Sequence, residues 1–100
     1  MKLLEELLEG IRKRPSMYLG TKSLKLLNAY LNGFLSGSGL VENSEYQNFR
    51  TQFQKYVLEL YPTQKSLGWS SIIIKVSQGD EERAFDLFFR LLDDFNKIKR

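Results

Sequence analysis

The chain has 100 residues, of which 42% are apolar and 13% aromatic. That length corresponds to a single domain, and the apolar content is sufficient for one core, which excludes a disordered tail. The sequence contains no cysteine and no histidine. Disulfides, thiolate metal sites, cysteine nucleophiles and imidazole-dependent catalytic triads are therefore excluded. Composition narrows the class of protein to one domain spanning residues 1–100 and leaves its function open.

The charge of the chain is nearly balanced. Lys and Arg number 15 against 12 Asp and Glu, which gives a net charge of +3. The whole surplus lies in residues 1–41, where six basic residues accompany three acidic ones, whereas the rest of the chain has nine of each. Because a dedicated nucleic-acid binder usually carries an extended basic stripe, this distribution indicates a local basic patch only.

An amphipathic helix is predicted at the start of the chain. Its apolar residues recur at helical spacing, and Pro15 ends it near Arg14, because the residue before a proline is disfavoured in the α region. Glu5, Glu6 and Glu9 interrupt the apolar residues, which a signal peptide would keep together. No segment is long and apolar enough to span a membrane, so we expect a cytoplasmic protein. The apolar stripe consists of Leu3, Leu4, Leu7, Leu8 and Ile11.

The segment after Pro15 is predicted to be an ordered connector. Gly20 would supply a left-handed backbone turn, which glycine adopts without strain. The side chains of Met17, Tyr18 and Leu19 would pack into the core beneath this turn. This segment therefore has a structural explanation as well as any functional one.

The second helix is predicted to begin near Thr21 or Ser23, because either hydroxyl can cap it. The run Ser36-Gly37-Ser38-Gly39 ends the helix, since alternating serine and glycine favours a loop. The inward face of this helix consists of Leu24, Leu27, Leu31 and Phe34 or Leu35.

The third and last helices show the clearest hydrophobic periodicity. A capping box of Ser44 and Gln47 begins the third helix, and Pro62 follows its end. The last helix extends from Asp80 to Ile98, with acidic residues in its first turn and basic residues at its end, as the helix dipole favours. The inward residues are Tyr46, Phe49, Phe53, Tyr56, Val57 and Leu60 in the third helix and Ala84, Phe85, Phe88, Leu92 and Phe95 in the last.

Residues 69–76 are compatible with either a strand or a helix. Ile72, Ile73 and Ile74 are β-branched and favour a strand. No other segment offers a strand partner, and a lone strand leaves its backbone groups unpaired. The spacing from Trp69 to Val76 fits one helix face, so we predict a short helix. The expected fold is all-α, a single compact domain of about five helices with short connections.

The stretch Arg14-Pro15-Ser16-Met17-Tyr18-Leu19-Gly20 has the form of a motif, and three further segments accompany it. They are Ser23-Leu24, the segment from Trp69 to Ile73, and the helix from Ala84 to Phe95. Together these segments resemble the small all-helical immunity proteins of bacterial polymorphic and contact-dependent growth inhibition toxin systems. The resemblance implies a non-catalytic protein that binds a cognate toxin, such as a nuclease domain, and blocks it.

Acidic residues on the last helix form the first candidate partner surface. Several of them lie opposite Phe88 and Phe95 around the helix, and so on its outer face. An acidic surface of this kind would dock on the basic cleft of a nuclease. The alternative is an ordinary solvated face with favourable charges at the helix N-terminus. The candidate residues are Asp80, Glu82, Asp86, Asp93 and Asp94, with Glu42 and Glu45 if their loop folds nearby.

The second candidate site is a basic turn. Arg12, Lys13 and Arg14 lie near Tyr18 in the sequence, and cations beside an aromatic ring can bind single-stranded nucleic acid. Three charges give only weak, salt-sensitive binding, because affinity scales with the number of phosphates contacted. The arginines could equally contact a carboxylate or complement the end of the first helix. A small nucleic-acid-binding or regulatory domain is the alternative function, and nucleic acid is not the expected partner.

Catalysis, metals and cofactors are not expected. Each pair of carboxylates falls on a polar helix face, where no desolvated pocket would raise a pKa. The acidic residues also lack the ligand spacing of a calcium loop. We therefore expect no enzyme activity, no cofactor and no small-molecule ligand.

The aromatic residues exceed what a small core needs. We expect some of them to be partly exposed, because exposed aromatic side chains anchor interfaces with partners or between copies of a chain. Those that lie at or beyond the edge of a predicted inward face are Tyr30, Tyr61, Trp69 and Phe89.

Overall fold

Helices form at each segment where the hydrophobic spacing predicts one. The computed structural model describes residues 2–38, 41–62 and 66–99, with side chains over 4–34, 46–62 and 66–98. Within these ranges there is no strand, so the all-α prediction is confirmed, including the helix over residues 69–76. The described residues form six helices where the sequence predicts about five. They are α1 (Lys2–Lys13), α2 (Pro15–Leu19), α3 (Leu24–Ser38), α4 (Val41–Leu60), α5 (Trp69–Val76) and α6 (Glu81–Lys99).

The additional helix, α2, occupies the segment predicted to be a connector. Pro15 is its first residue, where the fixed φ of proline suits a helix and the missing N–H has no helical partner to lose. Gly20 ends the helix in the left-handed conformation, with φ of 83°, as predicted. A helix this short covers little of the core. Met17 is 73% exposed, so its predicted burial is wrong, whereas Tyr18 and Leu19 are half-buried.

Side chains cap two helices, at Ser23, which is one of the two predicted caps, and at Asp80, which the sequence predicts to lie in the first turn of its helix. At α3, Ser23 Oγ accepts a hydrogen bond from the backbone N–H of Leu26 at 3.2 Å. At α6, Asp80 Oδ1 accepts hydrogen bonds from the backbone N–H groups of Glu82 and Arg83, both at 3.1 Å. Each cap satisfies N–H groups that have no partner within their own helix.

Helix α4 begins earlier than the sequence predicts. The capping box of Ser44 and Gln47 places the start at Ser44, but the helix begins at Val41, so that prediction is wrong. A serine inside a helix costs only about 0.5 kcal/mol relative to alanine, so a local capping signal does not stop a helix that its neighbours continue. The end at Leu60, before Pro62, is as predicted. Leu60 itself is exposed rather than inward-facing, because it lies at the tip of the helix.

The core between α4, α5 and α6 is aromatic. Phe53 is fully buried, and its ring centroid lies 5.4 Å from that of Trp69 and 5.6 Å from that of Phe88. Trp69 in turn stacks on Phe88, with centroids 5.1 Å apart. Each such ring pair contributes about 0.5–1.5 kcal/mol beyond the area that it buries. The three helices are therefore joined through a single cluster of rings.

Most of the predicted inward residues are buried. Of the four aromatic residues predicted to be partly exposed, Tyr30 and Tyr61 are half-buried, as predicted. Trp69 and Phe89 are buried, so the prediction is wrong for them. Phe89 lies beneath the Arg12 guanidinium, a cover that is distant in sequence. The buried members of the predicted stripes are Leu4, Leu7, Leu8, Ile11, Leu24, Leu27, Leu31, Tyr46, Phe49, Phe53, Val57, Ala84, Phe85, Phe88, Leu92 and Phe95.

Gln54 of α4 holds the start of α5. Its Oε1 accepts a hydrogen bond from the backbone N–H of Trp69 at 2.6 Å, and its Nε2 donates to the carbonyl oxygen of Leu67 at 3.0 Å. Gly68, at the N-cap of α5, has no side chain with which to cap the helix. An amide from a neighbouring helix therefore satisfies this terminal N–H and positions Trp69 in the core.

Candidate functional site

A bidentate ion pair joins the predicted basic turn to the predicted acidic surface. Arg12 Nη1 and Nη2 donate to the two carboxylate oxygens of Asp93, at 3.0 and 2.8 Å. The same guanidinium lies over the Phe89 ring, 5.3 Å from its centroid. The hydrogen bonding lowers the pKa of Asp93 and raises the pKa of Arg12, with burial opposing both shifts. The two charges neutralise each other and connect α1 to α6.

A second ion pair connects the residues before α3 to α6. Lys22 Nζ lies 2.8 Å from Asp86 Oδ1 and 5.6 Å from the centroid of the Phe85 ring. The hydrogen bond with Asp86 raises the pKa of Lys22. The carboxylate of Asp80 caps α6. Three of the five predicted acidic residues on this helix and its cap therefore make contacts within the domain.

Among the described side chains, the remaining predicted acidic residues do not form a continuous acidic surface. Glu82 and Asp94 are exposed, and their carboxylates form no hydrogen bond or ion pair with the described residues. Glu42 and Glu45 have side chains outside the described residues. By helical spacing, cations share the acidic side of α6, which gives this face a mixed charge. These exposed cations are Arg83, Arg90 and Lys97.

The basic turn retains two cations that point to solvent. Lys13 Nζ lies 3.9 Å from Glu9 Oε1, a long contact one helical turn away. Arg14 is exposed and forms no ion pair with the described part of the chain. With Arg12 paired to Asp93, the turn offers two cations to a ligand rather than three.

Tyr18, the aromatic member of the basic turn, takes part in helix packing. Its ring meets the Tyr30 ring at 89°, with centroids 5.9 Å apart. Its hydroxyl end packs against Gly10 of α1, where an added Cβ would lie 2.7 Å from Tyr18 Oη. These contacts hold the ring against α1 and α3, whereas the predicted nucleic-acid site needs an open aromatic face.

The outer side of α3 carries an apolar surface of which the sequence predicts only Tyr30 as a partly exposed aromatic, whereas Phe34, predicted as a possible inward residue, is exposed. The Tyr30 ring stacks on that of Phe34, with centroids 6.1 Å apart and 10° between the planes. Phe34 is 39% exposed and Leu26, one turn before Tyr30, is 42% exposed. Adjacent α2 contributes the exposed Met17 and the half-buried Tyr18. We call Met17, Tyr18, Leu26, Tyr30 and Phe34 the α2–α3 patch.

A sequence signal for the α2–α3 patch exists in the composition of α3. Between Leu24 and Phe34 the helix has three polar side chains, namely Lys25, Asn28 and Asn32. Apolar residues consequently occupy far more of its circumference than the stripe that a half-buried helix normally presents to a core. The excess must be either covered by other elements or exposed, and here it is exposed.

Gly33 lies on this outward side of α3. It is exposed, and a Cβ added to it would have no other described atom within 4 Å. A glycine in a helix costs about 0.5–1 kcal/mol relative to alanine. The domain gains no packing from this position, but the missing side chain leaves room for close approach of a partner to the helix backbone.

A cleft of about 230 Å³ lies between α1, α4 and α6. Leu8, Phe49 and Phe89 contribute apolar lining, and the paired Arg12 and Asp93 line one side. Sites for drug-sized ligands usually enclose about 300–1,000 Å³. A ligand at this cleft would also compete with an existing ion pair, so the cleft is a weaker candidate than the α2–α3 patch.

Comparison of the chain with protein-family models, curated proteins and solved structures gives no significant match. In the described part of the chain, no three acidic side chains lie close enough together to hold a metal ion. None of the described helices combines the length and apolar character of a membrane span. The α2–α3 patch is thus the strongest feature on which to base a function.

Proposed function

We propose that this protein is an immunity protein, which binds a cognate bacterial toxin domain and blocks it without catalysing a reaction. The observation that carries the proposal is the exposure of large apolar side chains on the α2–α3 patch. Clustered exposed apolar side chains on a monomer mark interaction sites, and aromatic residues are the usual anchors. The sequence resemblance to small helical immunity proteins supports a toxin as the partner.

Inhibition would be steric. The rings of Tyr18, Tyr30 and Phe34 contact one another in series, so their positions are set before a partner arrives. Side chains that are already ordered lose little conformational entropy on binding, which favours tight complexes. The Lys22–Asp86 ion pair holds the start of α3 to α6 beneath this surface. A preformed surface of this kind could cover a toxin's active site or substrate-binding surface.

The alternative, nucleic-acid binding through the basic turn, has less support. The Arg12 guanidinium forms an ion pair with Asp93, and the Tyr18 ring packs between α1 and α3, so neither side chain is free to contact a nucleic acid. Two remaining cations would contact few phosphates and bind weakly at physiological salt. A partner that is a protein suits the apolar α2–α3 patch better than a polyanion does.

Co-expression with the protein encoded immediately upstream in the source genome tests the proposal. We expect that protein to arrest growth, this chain to restore growth, and the two to co-elute in size-exclusion chromatography. Phe34→Glu should abolish both rescue and co-elution. Ile98→Glu is the matched control, because Ile98 is 72% exposed on α6 and outside the patch. A harmless neighbour, or rescue without a complex, would overturn the proposal.

A further inference from the structure

The stretch of sequence that contains the α2–α3 patch carries charges of one sign, and the nearby acidic side chains of Glu81 and Asp86 belong to α6. From Gly10 to Val41 the sequence contains no Asp or Glu and five cations. This stretch includes all of α2 and α3. The five cations are Arg12, Lys13, Arg14, Lys22 and Lys25.

Four of the five cations divide into two groups in the structure, and the fifth, Lys13, lies 3.9 Å from Glu9 of its own helix. Arg12 and Lys22 form ion pairs with α6, at 2.8 Å in each case. Arg14 and Lys25 are exposed and form no ion pair with the described residues. Arg14 precedes α2, three residues before Met17, and Lys25 adjoins Leu26 on α3. One unpaired cation therefore lies at the N-cap of α2 and the other on α3, the two helices that carry the apolar patch.

We infer that the partner seated on the α2–α3 patch presents an apolar centre bordered by Asp or Glu side chains, which pair with Arg14 and Lys25. This inference rests on the proposed function and specifies the toxin surface. Covering a cation without pairing it carries a large desolvation cost, so a stable interface needs opposite charges at these positions. Complementary charges also accelerate association and suppress wrong partners.

A second copy of this chain is a poorer occupant of the same surface. In a two-fold symmetric dimer the same patch would meet itself. Arg14 and Lys25 of one copy would then find no acidic side chain of α2 or α3 to pair with on the other copy. The charge pattern therefore favours an acidic partner over self-association.

Gly33 provides a steric probe of this interface. A Cβ added at this position meets no described atom within 4 Å, and Gly33 is exposed, so we expect a substitution to leave the monomer folded. Gly33→Gln should preserve or raise the thermal stability, because glutamine is the better helix former. If the partner packs closely against α3, the same substitution should weaken the complex at least tenfold.

Association kinetics of the purified upstream-encoded protein with this chain test the inference. We expect Arg14→Glu and Lys25→Glu each to lower the association rate constant about tenfold and to reduce its dependence on salt. Arg83→Glu and Arg90→Glu are matched controls, because both arginines are exposed cations of α6. These controls should stay within about twofold of the original rate.

The outcomes separate the inference from the proposed function. Absence of any complex with the unaltered chain overturns both. A complex that Arg14→Glu, Lys25→Glu and Gly33→Gln leave unchanged overturns the inference alone. Weakening by Asp94→Lys, without an effect at Arg14 and Lys25, would place the toxin on α6 and overturn it as well. A dimer in sedimentation that Phe34→Glu dissociates would identify the occupant as a second copy, which also contradicts the inference.

Discussion

Arg12 and Asp93 lie 81 residues apart in the sequence, and two parallel hydrogen bonds of 3.0 and 2.8 Å join their side chains. The ion pair covers the buried Phe89 ring with the Arg12 guanidinium. Each residue belongs to one of the two charged surfaces that the sequence suggests as binding sites. Their pairing removes one charge from each surface, so the contact contributes to the fold as well as to the charge pattern.

We expect a double-mutant cycle of Arg12→Ala and Asp93→Ala to give a coupling energy of about 0.5–1 kcal/mol at neutral pH. Bidentate geometry strengthens the pair, but the side chains are 40% and 45% exposed and solvent screens them. Urea denaturation of the four proteins measures the coupling. A value near zero would show that the pair does not contribute to stability.

The coupling energy between Arg12 and Asp93 should decrease at acidic pH. The folded-state pKa of Asp93 is lowered below its ordinary value of 3.8, chiefly by the hydrogen bond from Arg12. The contribution of the Arg12–Asp93 pair to the free energy of unfolding is therefore fully present above about pH 3.8. It is lost as the pH falls through the lowered pKa that Asp93 has in the folded protein. Denaturation at a series of acidic pH values measures this loss. A coupling that persists after Asp93 is protonated would contradict the assignment.

Two helical glycines should respond differently to replacement by alanine. Gly33→Ala should raise the free energy of unfolding by about 0.5–1 kcal/mol, because its added Cβ meets none of the described atoms within 4 Å. Gly10→Ala should gain less or lose stability, because its Cβ would lie 2.7 Å from Tyr18 Oη. Adding Tyr18→Phe to Gly10→Ala should recover part of the difference. Equal gains at both glycines would contradict the packing of Tyr18 against α1.

Gln54→Ala should lower the free energy of unfolding by about 1–2 kcal/mol. The substitution removes two hydrogen bonds, to Trp69 N and Leu67 O, each worth about 0.5–1.5 kcal/mol. Gln52→Ala is the control, since Gln52 is exposed and should change stability by less than about 0.5 kcal/mol. Fluorescence of Trp69, the one tryptophan of the chain, reports unfolding directly at this site. Similar changes in stability at both glutamines would argue against a stabilising role of the Gln54 hydrogen bonds at the start of α5.

Substitutions at two residues with left-handed backbone conformation should change the stability of the protein in opposite directions. Gly20 has φ of 83° and Gln78 has φ of 59°. A side chain in this conformation costs about 1–2 kcal/mol, so Gly20→Ala should destabilise the protein by about that amount. Gln78→Gly should remove a strained side chain, and we expect it to stabilise the protein by up to about 1 kcal/mol. Thermal unfolding of both variants measures the signs, and a neutral Gly20→Ala would contradict the backbone conformation at the end of α2.

The periodic spacing of apolar residues was sufficient to predict five of the six helices. Trp69 to Val76 illustrates the point, because its isoleucines favour a strand, yet the helical spacing and the lack of a strand partner predict the observed helix. Helix α2 escaped prediction because five residues are too few to show a period. The start of α4 was misplaced at Ser44 because a capping motif describes local hydrogen bonding and not whether a helix continues through it.

By itself, the sequence determined five of the six described helices, most of the residues that face the core, and the classes of chemistry that missing cysteine and histidine exclude. Only the tertiary structure decided which charges and apolar side chains are available to a partner. The reason is that availability depends on neighbours that are distant in sequence. Asp93 is neutralised by Arg12, 81 residues away, whereas Phe34 is partly exposed because no described element covers the outer side of α3.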